Sequence, residues 1–240
     1  MNLPNSITLG RIAIMPLIAY LPFVPSAGWR MVGFVLFIIA AVTDYYDGML
    51  ARTRNAITDL GRLLDPLADK LLLLGTMLPM YVLMAPESHP ALPFLETVPG
   101  AAQFPFTTPV GDVPLPWWIV AVVLGRELVM TIFRQIAARR GLIIAAIGPA
   151  KWKMGFQCTW IGAAYFWFSA ATAARTRGWD GPGWRLFAQF NGIVGTITMI
   201  AAFVLTLVSL WLYFRRYGYI MWSRHPAPAT PGARGDRGTP

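Results

Sequence analysis

Acidic residues, histidine and cysteine are all scarce in this chain. Its 240 residues include eleven Asp plus Glu, two His and one Cys. The lone Cys158 excludes an intrachain disulfide and leaves the redox compartment unread. His89 and His225 stand apart, so no Cys/His metal framework exists. Charge of either sign is thin, at 13% against about 25% in an ordinary soluble domain. That excludes a disordered chain and argues against a soluble globular one. The composition is instead 56% hydrophobic, with ten Trp, fourteen Phe and eight Tyr. Such a chain needs lipid. Each spanning helix takes about 20 residues, so the length allows roughly six spans plus loops.

Twenty Lys plus Arg leave a net charge of +9. In a soluble protein that balance would point to nucleic acid. In a membrane protein it is the Lys/Arg excess of cytoplasmic loops, beside anionic lipid.

Uncharged runs mark the spans. Met154 to Ala174 and Leu186 to Phe214 are long enough by themselves. Ile12 to Trp29 is a third, preceded by a short interfacial segment that Asn5 or Thr8 can cap. Pro25-Ser26-Ala27 resembles a leader cleavage site, but the first ten residues carry no positive side chain, so a retained span is expected. Met31 to Thr43, Leu71 to Pro86 and Val113 to Gly125 are too short. They reach full length only by taking in Asp44 and Asp47, then Asp65, Asp69 and Lys70, then Arg126, Glu127 and Arg134. Charges so placed are costly and face a bundle interior or wet cavity. Hydropathy therefore marks where a polar site belongs.

The fold expected is all-α, a six-helix polytopic membrane protein. Arg52, Arg54 and Arg62 lie in one link, Arg139, Arg140, Lys151 and Lys153 in another, and Arg215, Arg216, Arg224, Arg234 and Arg237 in the tail. Glu87 to Asp112 has no Lys or Arg. This asymmetry puts both termini in the cytoplasm. Arg30, Arg175, Arg177 and Arg185 fall on the other side, against the trend. The Pro-rich linker Glu87 to Pro116 lies outside and shows no chemistry. Residues 1–222 read as one membrane domain and 223–240 as a disordered, Pro/Gly/Arg-rich tail. Asn191, polar within the sixth span, is expected to bond a neighbouring helix.

The chemistry lies in Asp44-Tyr45-Tyr46-Asp47-Gly48-Met49-Leu50-Ala51-Arg52 and Gly61-Arg62-Leu63-Leu64-Asp65-Pro66-Leu67-Ala68-Asp69. Asp44, Asp47, Gly48 and Ala51 share one helix face, and Gly61, Asp65 and Asp69 share another. Pro66 is a first-turn residue if that helix starts near Leu64, and an internal residue if it starts near Leu60. A short link makes the two helices antiparallel neighbours, so four carboxylates converge. Unneutralised, they would repel. An all-oxygen donor set suits Mg²⁺ or Mn²⁺. Two such ions can clamp the attacking and leaving oxygens of a phosphoryl transfer. Gly48 and Ala51 leave room for a ligand, and Arg52 can pair with a phosphate. The plainer alternative pairs each Asp with Arg52, Arg54, Arg62 or Lys70 at a helix end.

Asp-x-x-Asp-Gly-x-x-Ala-Arg, eight residues, then Gly-x-x-x-Asp-x-x-x-Asp resembles the signature of the CDP-alcohol phosphatidyltransferases at every fixed position. The resemblance implies a six-helix membrane enzyme, usually a homodimer. It would move a phosphatidyl group from CDP-diacylglycerol to an alcohol and release CMP. It further implies that Asp44, Asp47, Asp65 and Asp69 hold two Mg²⁺ or Mn²⁺ ions, with Asp69 also the general base. Asp44, Asp47, Gly48, Ala51, Arg52 and Gly61 would contact the CDP-lipid.

Arg126 and Arg134 are eight apart on the fourth span and share a face. With Lys151 and Lys153 they form a basic set suited to a phosphorylated acceptor. The block Leu3-Pro4-Asn5-Ser6-Ile7-Thr8-Leu9-Gly10-Arg11, Arg126-Glu127-Leu128 with Arg134, and Lys151-x-Lys153 with Gln157 are similar to the family's glycerol-3-phosphate branch. Phosphatidylglycerol or an inositol phosphate remains an alternative acceptor. An ion-coupled transporter is the rival of another class, but it would place its acids near mid-membrane, often with paired repeats. The location implied is a bacterial inner membrane, with the site on the cytoplasmic side.

Overall fold

A computed structural model describes residues 3–53, 59–86, 98, 101–140 and 148–218; the side chains of 3–5, 45–53, 59–63, 65 and 148–151 fall outside that description. Six long helices carry most of the described chain: α1 (Leu3–Tyr20), α2 (Ala27–Thr53), α3 (Asp59–Met84), α4 (Trp117–Arg139), α5 (Gly148–Arg177) and α6 (Pro182–Tyr217). A hairpin of β1 (Phe106–Thr108) and β2 (Gly111–Val113) joins α3 to α4.

The first helix departs from expectation. No separate interfacial segment precedes it, because α1 runs unbroken from Leu3. Pro4 falls in the first turn, where a missing N–H costs nothing. The helix stops only at the 3-10 turn Leu21–Phe23, which contains Pro22. The third helix settles the Pro66 question: α3 starts at Asp59, so Pro66 is internal and the carbonyl four residues earlier loses its N–H partner.

Among the described residues, four helical windows are long and apolar enough to cross a membrane: Ser6–Phe23, Ala27–Asp44, Pro66–Met84 and Pro182–Tyr217. Their outward faces carry Leu17, Ile38, Leu78, Ile197 and Val204, all exposed. A soluble protein would not leave so much apolar surface open.

The core is aromatic and methionine-rich. Phe37 of α2 stacks on Tyr165 of α5, and Tyr165 reaches the Gly75 carbonyl of α3 at 3.3 Å. Two buried threonine hydroxyls are satisfied within their own helices: Thr76 donates to the Leu72 carbonyl and Thr206 to that of Ala202. Asn191 of α6 donates to the Ala163 carbonyl of α5 at 3.4 Å, the interhelical bond expected of it.

The hairpin is the element that sequence reading missed. Phe106 is fully buried, and β1 packs on α6. A Cβ at Gly192 would stand 1.9 Å from the Thr107 carbonyl oxygen, and one at Gly195 would stand 2.3 Å from the Phe106 ring. Two glycines one turn apart therefore form the seat for this strand. Nearby, Arg30 and Arg175 lie over the Phe104 ring at 4.5 and 4.6 Å. Arg30 also bonds Thr172, and Arg175 bonds the Gln103 carbonyl. Two of the arginines that broke the charge asymmetry thus hold the loop ahead of the hairpin.

Candidate active site

At the opposite end of the bundle, α2, α3, α4 and α5 enclose a cleft of about 350 Å³. Asp44 enters from α2, Asp69 from α3, Arg126, Glu127 and Arg134 from α4, and Lys153 and Gln157 from α5. Phe37, Leu72, Leu73 and Ile161 form its apolar part. The cleft thus brings one described carboxylate from each of α2 and α3 together with Arg126, Arg134 and Lys153.

Local sequence explains the placement. The apolar window of α2 ends at Asp44 and that of α3 begins at Pro66. Each helix crosses from apolar to charged residues at the cleft; among the described residues the two are joined mainly through α1, which packs on both, and not as the direct neighbours the short link predicts. Asp47, Gly48, Ala51, Arg52, Gly61, Asp65 and Lys151 lie on the same helices, but their side chains fall outside the described residues. What was expected of them as metal, CDP-lipid and acceptor contacts stays at the level of helix register.

In the sequence Arg11 stands out only as the last residue of the block Leu3 to Arg11. Its Nη1 lies 2.5 Å from Asp44 Oδ1 and 3.9 Å from Asp69 Oδ1. Arg11 is buried, and Asp69 is about half exposed. The signal was available: Arg11 is the one charge in an otherwise apolar helix, and such a charge normally has a partner. Asp44 of α2 therefore pairs with a cation of α1, a partner outside the helix-end cations first considered.

That one nitrogen touches both carboxylates also tests the metal expectation. The cation the two acids share in the structure is the Arg11 guanidinium. Their donors are hard carboxylate oxygens, and the cleft is partly open. This set fits Mg²⁺ or Mn²⁺ better than a softer ion.

The basic wall is more tightly tied than expected. Arg126 and Lys153 are each 6% exposed. Arg126 Nη1 donates to Glu127 Oε1 at 2.8 Å, and Lys153 donates to the same oxygen. Arg126 Nη2 also reaches Ser209 Oγ of α6 at 3.2 Å. Arg134 lines the cleft with its side chain exposed. Sequence reading noted Glu127 only as a nearby acid, and its partners on two helices emerge from packing.

The family model described as CDP-alcohol phosphatidyltransferase matches residues 1–222. Several relatives carry the name "CDP-diacylglycerol--glycerol-3-phosphate 3-phosphatidyltransferase". That of Bacillus subtilis (strain 168) is 32% identical over 174 residues, covering 68% of this chain and 75% of its own. That of Rickettsia bellii (strain RML369-C) is 48% identical over 71 residues, covering 30% of this chain and 39% of its own. A "Probable phosphatidylglycerophosphate synthase" of Mycobacterium tuberculosis (strain ATCC 25618 / H37Rv) is 31% identical over 164 residues, 67% of this chain and 64% of that protein. The match thus spans about two fifths of the Rickettsia protein and two thirds or more of this chain in the longer alignments.

Proposed function

The chain belongs to the CDP-alcohol phosphatidyltransferase family, and from that premise we propose that it transfers the phosphatidyl group of CDP-diacylglycerol to glycerol-3-phosphate, giving phosphatidylglycerophosphate and CMP. One observation carries the acceptor assignment: a single cleft holds Asp44 and Asp69 beside Arg126, Arg134 and Lys153. The acids serve the transferring phosphorus, and the cations serve a phosphorylated acceptor.

The acceptor hydroxyl attacks the phosphatidyl phosphorus. A new O–P bond forms as the bond to CMP breaks, and CMP leaves as a phosphate anion. Asp69 takes the hydroxyl proton, because an alcohol is a poor nucleophile until a base removes it. Asp44, Asp47, Asp65 and Asp69 would hold two divalent ions, Mg²⁺ or Mn²⁺, which would neutralise charge on the pyrophosphate. Gly48, Ala51, Arg52 and Gly61 bind the CDP moiety, and Lys151 joins the basic wall. An apolar groove of about 530 Å³ between α1 and α3 includes Ile12 and Leu71, close in sequence to Arg11 and Asp69. It suits an acyl chain, so the reaction runs at the membrane surface without extracting the lipid.

In this reading all six helices span a bacterial inner membrane, with both termini and the site cytoplasmic. Residues 1–222 are the catalytic domain, 223–240 a tail, and the enzyme is a homodimer. The family match to residue 222 supports that boundary.

The test is CMP release by purified protein with CDP-diacylglycerol, Mg²⁺ or Mn²⁺, and a panel of acceptors. The panel is glycerol-3-phosphate, phosphatidylglycerol, inositol-1-phosphate, inositol and serine. Metal-dependent release with glycerol-3-phosphate alone is expected. Release with another acceptor would keep the reaction class and overturn the acceptor.

A further inference from the structure

Resting on that acceptor assignment, we propose that Glu127 is a positioning residue: its Oε1 holds Arg126 and Lys153 together as a two-armed seat for the acceptor's phosphate monoester. Arg126 and Lys153 come from different helices, and both are buried. Both donate to one oxygen, Glu127 Oε1, which fixes their separation before any substrate arrives. The far side of Arg126 is pinned too. Ser209 accepts from Arg126 Nη2 and spends its own proton on the Thr206 carbonyl at 3.0 Å. α4, α5 and α6 thus share one polar knot against the cleft wall.

The knot is not saturated. Arg126 Nε is buried and has no acceptor among the described residues. The charge count of the wall also selects a ligand class. On the α4–α5 wall, Arg126, Arg134 and Lys153 against Glu127 leave two positive charges, while Asp44 and Asp69 face that wall from α2 and α3. A phosphate monoester carries about −1.5 to −2 near neutral pH. A phosphodiester lipid carries one negative charge, and inositol and serine carry no net charge. The wall therefore matches a phosphate monoester.

Geometry and charge make opposite demands on variants of Glu127, and this gives the test. Glu127→Gln removes the charge but keeps an acceptor oxygen in place. Glu127→Asp keeps the charge but draws the oxygen back by one methylene. Full-length protein is assayed in detergent with CDP-diacylglycerol and Mg²⁺, with Arg134→Met in parallel. We expect Glu127→Asp to raise the glycerol-3-phosphate KM at least about tenfold, with kcat within about threefold and the CDP-diacylglycerol KM within about twofold. Glu127→Gln should keep the acceptor KM within about threefold of the parent. The reverse pattern, with Gln impaired and Asp normal, would make Glu127 a counter-charge and overturn the inference. If both Glu127 variants keep the parental KM while Arg134→Met raises it, the acceptor site stands and the positioning role falls. If all three keep it, the acceptor assignment falls as well. If one Glu127 variant does not fold, the other still decides, since the two roles predict opposite results for each.

Discussion

At the scale of single residues, the site is a balance of opposed charges held close by helix packing. Asp69 is the exposed member of the described acid pair, which suits a group that must meet an incoming hydroxyl. Asp69→Asn should lower turnover by at least about a hundredfold, the low end of general-base contributions. Metal-dependent binding of CDP-diacylglycerol should persist. Single-turnover kinetics beside equilibrium lipid binding would separate the two, and retained turnover would remove Asp69 as base. Arg11 has a different task. It neutralises Asp44 within the bundle, so Arg11→Gln leaves that acid uncompensated. The metal-free variant should lose about 1–3 kcal/mol, below the full cost of breaking a wholly buried pair because Asp44 is partly exposed. Added Mg²⁺ should restore part of the loss, as a ligand that binds only the folded state must. Thermal unfolding with and without Mg²⁺ reads this, and equal losses in both would separate Arg11 from the metal site.

At the scale of elements, the hairpin between α3 and α4 depends on two missing side chains on α6. Gly192→Ala would drive a methyl into the Thr107 carbonyl, and a backbone oxygen has no rotamer to escape by. Overpacking of this kind costs about 1–3 kcal/mol. A lower unfolding temperature with an unchanged KM for both substrates is the expected result, since the cleft lies at the other end of the bundle. Nothing in the linker's composition announced this hairpin. Its strands are three residues each, too short for alternation to stand out, and the Gly192–Gly195 seat appears only when α6 is brought against it. By contrast, the long helices were legible. The interrupted hydropathy near Asp44 and Asp65–Lys70 located the polar ends of α2 and α3. α4 and α5 are less apolar than the other four helices, with Arg126, Glu127 and Arg134 inside one and Gln157, Ser169 and several aromatics inside the other. Their polar residues face the cleft and neighbouring helices, a use that hydropathy alone cannot distinguish from weak spanning character.

At the scale of the whole molecule, the bundle separates its two ends by function. One carries the charged cleft, and the other carries the hairpin and the Arg30–Phe104–Arg175 stack. If the cleft faces the cytoplasm, the hairpin tip faces out. Val110, at 99% exposure, is a suitable reporter. On a Cys158→Ala background, Val110→Cys should react with a membrane-impermeant maleimide in intact spheroplasts, while Arg139→Cys should react only after lysis. The opposite pattern would invert the topology.

The sequence by itself determined the class of chemistry, because the spacing of Asp44, Asp47, Asp65 and Asp69 is a local property that helix periodicity converts directly into shared faces. It also determined that the chain lives in lipid, because composition and run length need no partner to be read. Only the tertiary structure decided the rest: that Arg11 pairs with Asp44, that Glu127 gathers Arg126 and Lys153, and that a hairpin rests on Gly192 and Gly195. Each of these needs a contact between residues 26 or more positions apart: Arg11 with Asp44, Glu127 with Lys153, and Gly192 with Thr107. Sequence patterning records which face of a helix is polar, but not which other helix that face will meet.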